Sequence, residues 1–181
     1  MVYVFLANGF EEVEAIGPVD VLRRAGVEVK TVGIGGEIIE SSKGIRIAAD
    51  LKEEEAKTEN ADAIILPGGM PGTLNLEKSE TVQRFITYCA ENGKYLCAIC
   101  AAPSVFGHRG LLRGVEATAY PSFQSHLDGA LLSDKYVVRD GKFITARGAG
   151  VSLSFGAEIA SVFVGKEKAL SVLESMQCEM K

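Results

Sequence analysis

The sequence predicts one α/β domain spanning residues 1–181, a mainly parallel sheet with helices on both faces. Two observations predict it. Short apolar runs of strand length, VYVFLA (2–7), DAIIL (62–66) and YLCAI (95–99), alternate with stretches of helical periodicity. Such runs suit strands buried on both faces, the condition of a parallel sheet. In addition, no repeat, linker or low-complexity tract divides the chain, which is long enough for one sizeable core.

Taken in order, the first strand ends at Asn8-Gly9, and residues 11–25 follow as a helix stopped by Gly26. Pro18 lies inside that helix and predicts a kink or a break. Residues 27–33 alternate as a second strand, and 37–48 read as a hairpin around Ser42-Lys43-Gly44. The strand at 62–66 runs into Pro67-Gly68-Gly69. Val82, Phe85, Ile86 and Cys89 recur on one face of a helix over 79–92, which makes Cys89 a core residue. The strand at 95–99 leads directly into Cys100 and a short helix. Asp140-Gly141 marks a hairpin between Lys135–Val138 and Phe143–Ala146. Helices over 151–164 and 166–178 close the chain.

Composition narrows the function. A net charge of −5 argues against a nucleic-acid partner, which calls for a clustered basic surface. No window approaches the ~20 apolar residues of a membrane span. The opening MVYVFLANGFEE lacks the basic start and cleavage site of a signal peptide, so a cytoplasmic location is expected. The four cysteines, Cys89, Cys97, Cys100 and Cys178, are therefore expected as free thiols. His108 and His126 read as surface residues and do not form a metal-ligand cluster, so neither a metal nor a cofactor is expected.

In parallel sheets ligands bind beyond the carboxyl ends of the strands. This directs attention to three loops: 8–14, 67–72 and 99–103. Cys100 opens a helix, where free N–H groups favour an anion, so a lowered thiol pKa is expected; the plainer reading is one more small buried apolar residue. Glu11, Glu12 and Glu14 complement the start of a helix. Glu14, one turn in, is placed either to repel a thiolate or, protonated, to donate a hydrogen bond to it. Gly68-Gly69 has the backbone freedom to present bare N–H groups, as an oxyanion hole requires, or to make a simple turn. Cys97-Ala-Ile-Cys100 has redox-motif spacing, but Cys97 falls in a strand and points elsewhere. Gly33-Ile-Gly35-Gly36 lacks the third glycine of a dinucleotide site.

Four blocks, GFEEVEAIGPVDVLRRAG (9–26), ILPGGMPGTLNL (65–76), AICAAP (98–103) and TARGAGVSLSFG (145–156), resemble the ThiJ/PfpI superfamily. Within it they look most like the branch of the Parkinson disease protein deglycase and its bacterial ThiJ-like members. The resemblance covers essentially the whole chain. It implies a flavodoxin-like three-layer sandwich related to the class I glutamine amidotransferase domain, and a homodimer. It further implies that Cys100 is the reactive cysteine, Glu14 its proton-sharing glutamate, and Gly69 the glycine whose N–H faces the sulfur. Gly68 and Ala101 flank that site. Arg24 and Lys43 match basic residues near the dimer-related site, with Arg46 replacing Lys43 if the hairpin register differs.

Two departures matter. The protease-like branch has histidine after the nucleophile; Ala101 stands here and counts against a peptidase. Where the human-type branch has a histidine before proline, this chain has Tyr120, a poor base at neutral pH. The function expected is a cysteine-dependent enzyme acting on small reactive carbonyls or their adducts, glyoxalase- or deglycase-like, with Glu14 as proton shuttle. The alternative is a non-enzymatic oxidative-stress sensor or chaperone, in which Cys100 is oxidised to sulfinic acid.

Overall fold

The computed structural model describes residues 1–179. Strand β1 (Val2–Leu6) is buried along its whole length and alternates between two cores. Val2, Val4 and Leu6 face one, Tyr3 and Phe5 the other. Helix α1 (Glu12–Ala25) and strand β2 (Val29–Gly33) follow, then the hairpin β3 (Ile38–Glu40) and β4 (Arg46–Ala48), and the short β5 (Leu51–Lys52). Strand β6 (Ala63–Leu66) precedes α2 (Gly72–Lys78) and α3 (Glu80–Glu91). Strand β7 (Tyr95–Ile99) leads to α4 (Pro103–His108) and a small pair, β8 (Glu116–Ala117) with β9 (Leu131–Leu132). The chain closes with β10 (Val137–Asp140), β11 (Phe143–Ala146), α5 (Ser152–Val164) and α6 (Lys166–Ser175).

The main sheet has the order β10-β11-β7-β6-β1-β2-β5, parallel except for the β10–β11 edge. Helices α1, α5 and α6 cover one face; α3 and α4 cover the other. This is the three-layer sandwich with a mainly parallel sheet. From β1 the chain moves outward to β2 and β5, then returns to β6 on the opposite side of β1. The switch point therefore lies between β1 and β6, where a parallel sheet opens a crevice.

Helix α1 runs unbroken through Pro18, where a kink or break was expected. Pro18 removes the hydrogen bond that the Glu14 carbonyl would accept, but the helix continues, packed closely against α5. A Cβ on Gly156 of α5 would stand 2.8 Å from Pro18 Cα, and one on Gly17 3.1 Å from Ser152 Cβ. The two backbones approach closely because both contact points are glycines.

Candidate active site

Strand β7 ends at Ile99, and the next residue turns the chain out of the sheet. Cys100 has φ +63°, a left-handed conformation that costs a residue with a Cβ about 1–2 kcal/mol. Two hydrogen bonds hold it there. Its N–H donates to the Ala146 carbonyl at 2.9 Å, and the Tyr120 N–H donates to the Cys100 carbonyl at 2.9 Å. The half-buried sulfur accepts backbone N–H bonds from Ala101 and Gly69. Gly69 has φ +88°, and a Cβ there would stand 2.4 Å from Glu11 N. Only glycine fits where β6 gives way to this loop.

Glu14 comes to the same point from α1. The Glu11 side chain caps that helix, its carboxylate accepting the Glu14 N–H at 2.7 Å. Glu14 is 1% exposed. Its Oε2 accepts the Gly68 N–H at 3.0 Å, and the carboxyl also meets the Ala149 N–H and the Cys100 side chain. A Cβ on Gly68 would stand 2.6 Å from Glu14 Oε2 and 2.7 Å from Cys100 Cβ. The missing side chain of Gly68 makes room for the pair.

The electrostatics differ from the lowered thiol pKa expected. Helix α4 begins only at Pro103, three residues beyond the cysteine. Burial, followed by the charge of Glu14 and the hydrogen bond to it, pushes the Cys100 thiol up to about 12. The N–H groups of Ala101 and Gly69 pull the other way and are outweighed. Burial pushes the Glu14 carboxyl up to about 7, against the opposing hydrogen bond from Cys100. The pair thus holds one proton between its two steps, and Glu14 changes charge near neutrality, where a proton shuttle is most effective.

Residues 1–162 match the DJ-1/PfpI family. The chain belongs to that family. Protein dj-1beta of Drosophila melanogaster is 37% identical over 176 residues, covering 96% of this chain and 94% of the relative. The glutathione-independent glyoxalase DJR-1.2 of Caenorhabditis elegans is 31% identical over 168 residues, covering 92% of this chain and 89% of its own length. The structure of oxidized Toxoplasma gondii DJ-1 superposes with a TM-score of 0.94 at 31% identity, covering 99% of this chain and 98% of that one.

The remaining basic residues singled out in this DJ-1/PfpI chain lie outside the pair. Arg24 sits ten residues beyond Glu14 on α1, about 15 Å along the axis, and pairs with Asp20 at 3.0 Å. Lys43 is exposed at the tip of the β3–β4 hairpin, and Arg46 pairs with Glu40 at 2.9 Å. Neither Arg24 nor Lys43 joins the Glu14–Cys100 pair. Tyr120 does reach it, through its backbone, while its side chain is half exposed. Cys97 is fully buried and its thiol is pushed well up by burial, so it is inert beside Cys100. His108 and His126 bond to each other at 3.1 Å, and His108 to Glu77 at 2.6 Å.

Sequence reasoning missed a fourth loop at the same edge of the DJ-1/PfpI sheet, residues 147–151 after β11. Its Ala149 N–H meets Glu14, and a Cβ on Gly148 would stand 3.8 Å from Glu14 Oε1 and 3.6 Å from the Tyr120 ring. The available signal was the Arg-Gly-Ala-Gly run at the carboxyl end of a fourth parallel strand.

Proposed function

We propose that the chain is a cysteine-dependent enzyme acting on small reactive carbonyls or their adducts. The observation that supports it best is the hydrogen bond between Glu14 and Cys100, placed under the N–H groups of Gly69 and Ala101. With methylglyoxal, the sulfur adds to the aldehyde carbon while the Glu14 carboxylate takes the thiol proton. The carbonyl electron pair moves to oxygen, the Gly69 N–H steadies the developing charge, and Glu14 returns the proton to give a hemithioacetal. Glu14 then carries the proton from the former aldehyde carbon to the neighbouring carbonyl. The first carbon is oxidised as the second is reduced, so no outside oxidant is needed. Water cleaves the resulting thioester to lactate and restores the thiol. On glycated amines or thiols the same addition begins a deglycation. Tyr120 offers no base, so Glu14 performs each proton transfer.

The test is lactate formation from methylglyoxal without glutathione. Wild type is expected to turn over, Cys100→Ser not at all, and Glu14→Gln about 10²–10⁴-fold more slowly. A wild type that forms no lactate sinks the reading. A relative named as a glutathione-independent glyoxalase supports it.

A second reading has the same donors stabilising an oxidised sulfur. Two equivalents of peroxide would convert the Cys100 thiol to sulfinic acid with release of two waters, making the protein a stress sensor or chaperone. One-time gain of two oxygens without carbonyl turnover would favour it. In either reading a second copy of the chain is expected on the face carrying the exposed Val13 and Ile16 of α1 and the hairpin residues Ile38 and Ile45. Sedimentation of Ile16→Glu as a monomer beside a dimeric wild type would bear this out.

A further inference from the structure

We infer that the cavity beside the Glu14–Cys100 pair is a carboxylate subsite, and that the preferred carbonyl substrates carry an anionic group at the end remote from the reacting aldehyde. The inference rests on the reading of Cys100 as a carbonyl-directed nucleophile. The cavity is an open cleft of about 550 Å³ among Tyr120, Tyr136, Arg147 and residues 148–151. That volume lies within the range of small-molecule sites and is far larger than a three-carbon aldehyde requires. It lies against the pair, because Gly148 and Ala149 form part of its wall and also approach Glu14.

Arg147 is the charged group of this cavity. Its backbone N–H is fixed to the Tyr136 carbonyl at 3.0 Å, and its guanidinium lies 5.5 Å from the Tyr136 ring centre. Among the described residues the side chain makes no hydrogen bond. Its Nη2 comes no nearer than 3.7 Å to the carboxylate of Asp134, a fully exposed residue, and such a pair contributes little. Its Nε is buried without a partner. An unpaired buried donor costs about 1–3 kcal/mol. An acceptor that turns the planar fork into the cavity recovers that cost, and the acceptor matching two parallel N–H groups is a carboxylate. The aromatic rings of Tyr120 and Tyr136 suit the carbon chain between the two ends.

Calorimetric titration with 4-oxopentanoate, a ketone that carries the carboxylate without the aldehyde, tests the subsite independently of turnover. Wild type is expected to bind the acid about tenfold or more tightly than its neutral amide, and Arg147→Gln to lose that difference. Equal binding of acid and amide by wild type overturns the subsite without relying on any variant. Kinetics then compare 4,5-dioxopentanoate with methylglyoxal. The ratio of their kcat/KM values is expected to favour the acid in wild type and to fall about tenfold in Arg147→Gln, mainly through KM. An unchanged ratio also overturns the proposal. If neither aldehyde is turned over, the carbonyl-enzyme reading fails and the calorimetry alone decides the subsite.

Discussion

Gly68 donates its N–H to Glu14 Oε2 at 3.0 Å, while a Cβ on this residue would stand 2.6 Å from that same oxygen. The residue that binds the acid is also the one that must have no side chain. Gly68→Ala is therefore expected to lose turnover, since the new Cβ displaces the Glu14 carboxyl and also crowds Cys100 Cβ at 2.7 Å. Displacing a reacting group by about 1 Å costs on the order of 10²-fold. Circular dichroism with methylglyoxal kinetics checks this; an Ala variant of full activity would show that the contact is not used.

Site-resolved alkylation by iodoacetamide reads the pair directly. The Cys100 rate is expected to rise as the first proton leaves near pH 7, level off, and rise again towards pH 12. In Glu14→Gln the neighbouring charge is gone, leaving a single step below 12. Cys89, whose thiol burial pushes up to about 12, should react slowly in both proteins. Matching profiles in the two proteins would remove Glu14 from the account.

Stability should depend on pH through the same carboxyl. Its folded value of about 7 lies above the ordinary 4.5, so the folded chain binds the extra proton between those limits. The contribution is full below pH 4.5 and is lost as pH rises through about 7. At ~1.4 kcal/mol per unit this amounts to about 3 kcal/mol. Urea titrations from pH 5 to 8 should show wild type weakening and Glu14→Gln holding level. A wild type equally stable at both ends would contradict the buried acid.

The left-handed backbone at Cys100 has its own signature. Cys100→Gly relieves the conformational penalty, while Cys100→Ala retains it. The glycine variant is expected to be more stable than the alanine variant by about 1 kcal/mol, the reverse of the usual order in regular structure. Chemical denaturation of the two inactive proteins measures it.

Much of the fold was legible in the sequence, because short apolar runs alternating with helical stretches suit inner strands of a parallel sheet. Cys100, Glu14 and Gly69 were singled out by loops beyond the strand ends together with the family resemblance, since position alone left the role of each open. The unbroken course of α1 through Pro18 was not legible, since the helix packs there against Gly156, more than a hundred residues away. Nor was the direction of the Cys100 shift. Position at a turn suggested an exposed helix end, whereas the enclosing loops bury the sulfur beside an acid. Arg147 escaped notice because an arginine after a strand is unremarkable until the cavity around it is seen.

The glycine seam between α1 and α5 has one more implication. Glu14 rides on α1, and α1 is seated on α5 with backbone almost touching backbone at Pro18 and Gly156. A single methyl group at Gly156 would stand 2.8 Å from Pro18 Cα, too close to keep, so the helix would shift and carry the carboxyl with it. Inheritance of such a change would look like a defect of chemistry, though it lies in the scaffold and touches neither sulfur nor substrate. In this molecule the tolerance of a distant helix for mutation sets how far the Glu14 carboxyl can drift.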